Sequence, residues 1–384
     1  MTLALEIVFW IAAALLVYAQ VGYALLLAVL ARVLPAGRAS RRRARPVAPG
    51  EEPTVSLIVA AHNEETVIRD RVANALALDW PRDRLEVIVC CDGCTDATAE
   101  LARAAGADLV LELPREGKVR AQDAGVERAR GEVLAFSDAN AVWEPDALRR
   151  LLGPFGDPRV GYVCGQVRFR APDGTNQEGL YWRYEMAIRS LESRLRSITG
   201  GNGAIYAVRR EAYLVVPPIM GHDLSLPFNL VKRGWRALYA PSALARENLV
   251  PSIEGEFARK VRMMSHTWPI VVRGGMLSPR GYGPLYALMI GSHRILRYLT
   301  PFLHVIALAA NAALVAVAPS PLYWATLAIQ LAILLAAVLA GFVRARPLLI
   351  ARYYVLTTAS IAAGLWSWLR HGTDAHWEAA EGTR

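Results

Sequence analysis

Thr54–Ala60 (TVSLIVA), Leu85–Cys91 (LEVIVCC), Asp108–Glu112 (DLVLE) and Glu132–Ser137 (EVLAFS) are four near-continuous apolar runs of strand length. A strand with one face in water alternates apolar and polar residues, whereas a strand covered on both faces need not. Amphipathic segments separate the runs, the first carrying Val67, Ile68, Val72 and Leu76 at helical spacing. Such alternation predicts a Rossmann-like α/β domain with a mixed, mainly parallel sheet and helices on both faces. In sheets of this kind ligands sit outside the carboxyl ends of the strands. The chain places polar residues there: His62-Asn63-Glu64-Glu65, then Asp92-Gly93-Cys94-Thr95-Asp96, then Asp138-Ala139-Asn140. Singly, Asp-Gly reads as a turn and an Asp before a helix as a cap. Their recurrence at the same end of successive strands points to a binding crevice. No G-x-G-x-x-G follows the first strand and no Walker lysine loop is present, which argues against nicotinamide and P-loop chemistry.

On either side of this domain the composition changes. The 384 residues are 54% hydrophobic and 20% charged, with 43 Lys+Arg against 34 Asp+Glu and a net charge of +9, yet mean hydropathy is +0.25. Apolar residues must therefore lie in blocks. Leu3–Pro35 is interrupted only by Glu6, Gln20 and Arg32, exceeds the roughly 20 residues a spanning helix needs, and lacks the basic start and cleavage site of a signal peptide. Arg38, Arg41, Arg42, Arg43 and Arg45 follow, marking the cytoplasmic side and suiting anionic headgroups better than nucleic acid. Leu299–Ala318, Pro321–Val343 and Leu348–Leu369 are further spans, although Arg352, Trp366, Trp368 and Arg370 would also let the last lie at the interface. The expected organisation is a spanning helix at 1–35, a basic linker at 36–52, a catalytic domain at 53–250, interfacial helices at 251–298, three apolar segments at 299–370 and a tail at 371–384. The expected location is the bacterial inner membrane, with the catalytic domain cytoplasmic. Cys90, Cys91, Cys94 and Cys164 fall in that cytoplasmic part, where thiols stay reduced. Cys91 and Cys94 have C-x-x-C spacing, but no second pair completes a zinc site.

TVSLIVAAHNEE, VIVCCDGCTD, REGKVRAQDAG, GEVLAFSDAN, GGNGAIYAVRR and HDLSLPFNLVKRGWRALYAP, in this order, resemble the membrane-bound family 2 glycosyltransferases of the GT-A fold, including polysaccharide-synthase members. The resemblance spans about residues 53–275. It implies that His62, Glu64 and Asp92 hold the nucleotide, with His62 standing where the family often has Tyr, and that Lys118 neutralises the diphosphate. Asp138 and Asn140 resemble the D-x-D signature that holds Mg²⁺ or Mn²⁺, hard cations that prefer oxygen ligands; Asn140 departs from it in being neutral. Asp223 is implied as the base that takes the acceptor hydroxyl's proton, a helix N-cap being its structural alternative, with His222 orienting it. Asn202, His222, Arg259, Lys260 and Arg262 are implied acceptor or diphosphate contacts.

Phe257, Val261, Met264 and Trp268, with Ile253, share one helical face, and Arg259, Lys260 and Arg262 lie on the rest, as in an interfacial helix. Processive synthases carry Q-x-x-R-W here; Arg259-Lys260-Val261-Arg262-Met263 lacks the Gln and Trp. The expectation is an inverting transferase moving a sugar, from a UDP-sugar, to a lipid-linked or membrane-delivered glycan acceptor. A processive β-glycan synthase and an inactive scaffold subunit are the alternatives. Membrane lipids are expected partners and nucleic acid is not.

Overall fold

The structure, a computed structural model, describes residues 2–34, 46–170, 179–248 and 253–375; the Arg38–Arg45 run lies outside them. The chain divides into two compact units. One comprises Leu27–Pro251, Pro269–Ala287 and Thr373–Arg384, and the other Met1–Leu26, Ser252–Trp268 and Leu288–Gly372.

The first unit is built on an eight-stranded sheet. Its strands are β1 (Val55–Ala61), β2 (Leu85–Asp92), β3 (Leu109–Leu113), β4 (Val133–Asp138), β5 (Val142–Trp143), β6 (Val160–Arg170), β7 (Tyr206–Arg209) and β8 (Arg236–Asn248). In spatial order they run β3-β2-β1-β4-β7-β6-β8-β5. The half made of β3, β2, β1 and β4 is parallel, the four runs recognised from sequence. Beyond β4 the sheet becomes mixed: β7 is antiparallel to β4 and β6, β8 is parallel to β6, and β5 is antiparallel to β8. Register fixes the crevice, because Ala60 of β1 pairs with both Cys90 of β2 and Asp138 of β4, leaving the three carboxyl ends within two residues of one another.

Both sheet faces are covered, which is why the parallel strands read as unbroken apolar runs. Val55, Leu57 and Val59 of β1 face clusters completed by Val72 and Ala75 of one helix (Ile68–Leu76), Ala102 of another (Thr98–Ala104) and Leu148 and Leu151 of a third (Ala147–Leu152). Ile58 and Cys90 point the other way, toward the helix Lys118–Arg128, whose Gly125 packs so closely that a Cβ there would stand 2.8 Å from both Ile58 Cγ2 and Cys90 Sγ. Cys90, Cys91 and Cys164 are buried and Cys94 half-buried, all as free thiols.

The second unit contains most of the membrane-spanning chain. Among the described residues, four helices are long and apolar enough to cross a bilayer: Thr2–Val33, Pro284–Val317, Pro321–Leu339 and Arg346–His371. Phe9 and Ala12 of the first pack on Ala307, Ala310 and Leu314 of the second and on Tyr323 of the third. Each of the first two helices contains a π-helical turn, Tyr18–Gly22 and Ile290–Ile295, and Tyr18 Oη meets Ser292 Oγ between them at 2.9 Å. The helix Ile253–Val272 joins this unit through Trp268, whose indole nitrogen donates to Ile361 O at 3.0 Å.

Gly125 yields a test of the sheet–helix contact. Gly125→Ala is expected to overpack it at a cost of about 1–3 kcal/mol and to lower the melting temperature of the detergent-purified protein; unchanged melting would contradict the close approach.

Candidate active site

The strand ends are stitched together by short-range hydrogen bonds. Asp92 ends β2 buried, at 6% exposure, and its carboxylate accepts from Glu116 N at 2.7 Å and from Gly117 N at 3.1 Å to each oxygen. It thereby caps the loop that launches the helix Lys118–Arg128. Gly117 adopts φ +96°, and the Ala375 carbonyl lies against the space a Cβ would need. Glycine satisfies both constraints. His62 Nδ1 lies 2.6 Å from Asp92 O; a carbonyl can only accept, so Nδ1 carries the proton. Asn63 is the one non-glycine among the described residues with positive φ, at 52°, and its Oδ1 accepts from Thr95 N at 2.9 Å. Glu64 N donates to Thr98 Oγ1 at 2.8 Å. The β1 and β2 loops therefore form one surface that includes His62, Glu64 and Asp92.

Across β1 stands the second group. Lys118 forms an ion pair with Asp138 at the end of β4. Burial alone would lower the lysine ammonium, but the charge of Asp138 first, then those of Asp223 and Glu247, holds it above its ordinary value. Gly203 flanks this pair: a Cβ on it would stand 3.1 Å from Lys118 Nζ and 3.5 Å from Asp138 Oδ2. Asp138 O accepts from Ala141 N at 3.3 Å, closing a four-residue turn that presents Asn140.

The third group lies at the start of the helix His222–Lys232. Its N-cap is Gly221, which makes no side-chain cap, so Asp223 sits inside the first turn rather than at the capping position. Asp223 O accepts from Gly201 N at 2.6 Å, tying the Gly200–Gly203 loop to this helix. His222 is turned into the interior at 3% exposure. Its Nδ1 meets Tyr206 Oη at 2.9 Å and its Nε2 meets Tyr213 Oη at 3.4 Å, with Phe136 edge-on to the ring. Burial, aided by the Lys118 charge, pushes its pKa down to about 3, so the imidazole is neutral at physiological pH. Asn202 spends its amide on main chain, donating to Gly165 O at 2.7 Å and accepting from Ile205 N at 2.9 Å. Arg259, Lys260 and Arg262 belong to the membrane unit, where Lys260 Nζ lies 5.3 Å from the Tyr353 ring centroid.

The structure thus brings His62, Glu64, Asp92, Lys118, Asp138, Asn140 and Asp223 to one edge of the catalytic unit and directs His222 and Asn202 into its fabric. Sequence reasoning left out Gly203 and Glu247. The Gly200-Gly201-Asn202-Gly203 cluster was a usable signal for the first; Glu247 reaches Lys118 only through the pairing of β8, which has no local signature.

With this geometry established, comparison identifies the class. Residues 53–265 match the model of the family described as glycosyltransferase like family 2, and the chain belongs to that family. Poly-beta-1,6-N-acetyl-D-glucosamine synthase of Staphylococcus aureus is 24% identical over 249 residues, covering 61% of this chain and 60% of that protein. A probable glycosyltransferase of Bacillus subtilis, YdaM, is 34% identical over 127 residues, covering 31% of this chain and 30% of its own. The chain thus spans less than two thirds of the length of these relatives. The mannosyltransferase PcManGT from Pyrobaculum calidifontis, solved in complex with GDP-Man and Mn²⁺, superposes with a TM-score of 0.69 at 26% identity, covering 94% of this chain and 99% of that one. The sheet and its flanking helices have the GT-A fold, and the catalytic unit is a glycosyltransferase domain.

The depressed His222 pKa has a sign. Between about pH 6.5, its ordinary value, and about 3, the unfolded chain takes up a proton that the folded one does not, so stability falls as pH falls through that window. His222→Gln removes this term. Its melting temperature should fall less than that of the wild type between pH 6.5 and 4, and parallel curves would show that His222 does not titrate this way.

Proposed function

We propose that the protein is a membrane-anchored, metal-dependent, inverting glycosyltransferase that moves a sugar from a nucleotide sugar, a UDP-sugar by preference, to a lipid-linked or membrane-delivered glycan acceptor. The observation that carries this reading is the Lys118–Asp138 pair beside the bare Gly203, with Asp138 level with Cys90 across β1 and so two residues short of Asp92 on β2. Cation and carboxylate there meet what a diphosphate needs, and the missing Cβ leaves room for it.

His62, Glu64 and Asp92 take the nucleoside in this reading. A carboxylate accepts a base N–H or a ribose hydroxyl, and burial makes such pairing selective. Among the described residues no three His, Cys, Asp or Glu side chains cluster as a self-sufficient metal site. The fit to Mg²⁺ or Mn²⁺ is that of a site shared with the donor: Asp138 offers carboxylate oxygen, Asn140 a carboxamide oxygen, and a diphosphate supplies the remaining hard oxygens. When bound, such a cation screens the charge that develops on the leaving diphosphate. Lys118 adds a second positive charge on the same side, and its raised pKa keeps it protonated. Asp223 takes the proton of the acceptor hydroxyl as that hydroxyl attacks the anomeric carbon from the face opposite the diphosphate. Arg259, Lys260 and Arg262, in the membrane unit, suit phosphate groups of an acceptor lipid or of the bilayer surface. The basic 36–52 linker supports a cytoplasmic catalytic domain at an inner membrane.

A second reading, a processive synthase, is favoured by the Staphylococcus aureus relative and opposed by the departures from Q-x-x-R-W. A high-molecular-weight polymer made by the purified protein alone would select it, and a short, solvent-extractable glycolipid would select single addition.

Two variants test the roles with detergent-purified protein, a panel of UDP- and GDP-sugars and membrane lipid extract. Asp138→Ala should abolish the stimulation of nucleotide release by Mn²⁺; full activity of this variant in EDTA would refute the metal role. Asp223→Asn should lower transfer by about 10²–10⁴ while nucleotide affinity stays near that of the wild type. Near-normal turnover would remove Asp223 as the base, and a large loss of donor affinity would move it to the donor site.

A further inference from the structure

Arg71 is enclosed in the catalytic unit at 1% exposure. Among the described residues it has no carboxylate partner, and its Nε and Nη2 find no acceptor. Burial pushes its pKa down to about 9, the signature of a cation removed from water without an anion to offset it. Such a group is expensive to bury, so its contacts indicate what it is for. Arg71 Nη1 donates to Ala141 O at 3.2 Å and also to Asn74 Oδ1, while the guanidinium carbon lies 5.5 Å from the Trp143 ring centroid, at cation–π range. Asn74, three residues on and so on the same helical face, accepts from Trp143 N at 2.9 Å and donates to Trp143 O at 2.9 Å. The helix Ile68–Leu76 therefore grips the chain that leaves the Asp138–Ala141 turn at three main-chain points. Trp143, itself 1% exposed, extends the grip, because its indole nitrogen donates to Ala204 O at 3.0 Å, next to the Gly203 that flanks Lys118 and Asp138.

We propose that Arg71 and Asn74 are positioning residues that fix the Asp138-Ala139-Asn140 turn and the Gly203 loop in one arrangement. This inference rests on the reading of Asp138 and Asn140 as the metal-holding residues. Asp138 is a single carboxylate whose companion, Asn140, is neutral, so the site lacks the charge that would tolerate imprecise placement, and a fixed turn compensates for it. Neither Arg71 nor Asn74 touches substrate in this account. Their effect passes through Ala141, Trp143 and Ala204.

The test is Mn²⁺ binding followed by electron paramagnetic resonance on the full-length, detergent-purified protein, with UDP and with GDP present, alongside nucleotide binding in EDTA and melting temperature. Arg71→Met is expected to weaken Mn²⁺ binding at least tenfold and to leave metal-free nucleotide binding within about threefold of the wild type. Arg71→Lys, which keeps an N–H donor near Ala141 O, should recover part of the loss. Should Arg71→Met fail to fold, Asn74→Ala is measured in the same way, with the same expectation. Wild-type Mn²⁺ affinity in the variant measured would overturn the proposal, as would tighter Mn²⁺ binding on removal of the positive charge, the outcome of simple charge repulsion. Parallel loss of metal and metal-free nucleotide binding would reduce Arg71 to general support and also overturn it. Failure of the wild type to bind Mn²⁺ would sink the metal reading and this inference together, whereas the variant outcomes above overturn the inference and leave the metal reading standing.

Discussion

Pairing of β1 on both of its edges is the constraint on which the catalytic unit depends. Because Ala60 is level with Cys90 on one side and with Asp138 on the other, the loops after three strands leave the same edge of the sheet within two residues of one another. A slip of one residue in either ladder would turn every side chain of the slipped strand to the opposite face, setting Asp92 or Asp138 against a helix. The slip is resisted by the two clusters around Leu57 and Val59 and by Gly125, which admits Ile58 and Cys90 close to the helix axis. Apolar packing thus sets the geometry of a polar site that it does not itself contain.

Charge is distributed sparingly over that frame. Asp92 is taken up largely by the amides of Glu116 and Gly117, and Lys118 and Asp138 occupy each other. On the proposed reading, each such bond is exchanged for a bond to the ligand, and these side chains are ordered before it arrives. Preorganisation of this kind lowers the ordering cost of binding. His222 contributes to the same order from beneath: neutral and enclosed by Tyr206, Tyr213 and Phe136, it anchors the helix whose second residue is Asp223.

What could be read from the sequence follows from the physics of each element. The parallel half was legible because strands covered on both faces become apolar runs, and the place of the polar residues that end them was legible because parallel strands finish at one edge of the sheet. The mixed half was not. β6 and β8 carry Gly161, Gly165, Arg168, Arg236 and Arg246 within their spans, and they are strands because distant segments pair with them. His222 was read as a group beside the base, since nothing local reveals that Tyr206 and Tyr213 close over it. Arg71, in Arg69-Asp70-Arg71, carries no local sign of burial, and it is covered by Trp143, far along the chain.

The Ala375 carbonyl lies against Gly117, at the start of the helix that carries Lys118. A ligand group that takes up the space over that glycine displaces residues 373–375, and ligand binding and seating of this segment are then two equilibria sharing one volume. Such equilibria are reciprocal: the free energy by which the seated segment weakens the ligand equals that by which the ligand weakens the segment's hold. Whatever tethers or shields residues 373–375 therefore enters the apparent affinity for that ligand, with no change in the residues that contact it.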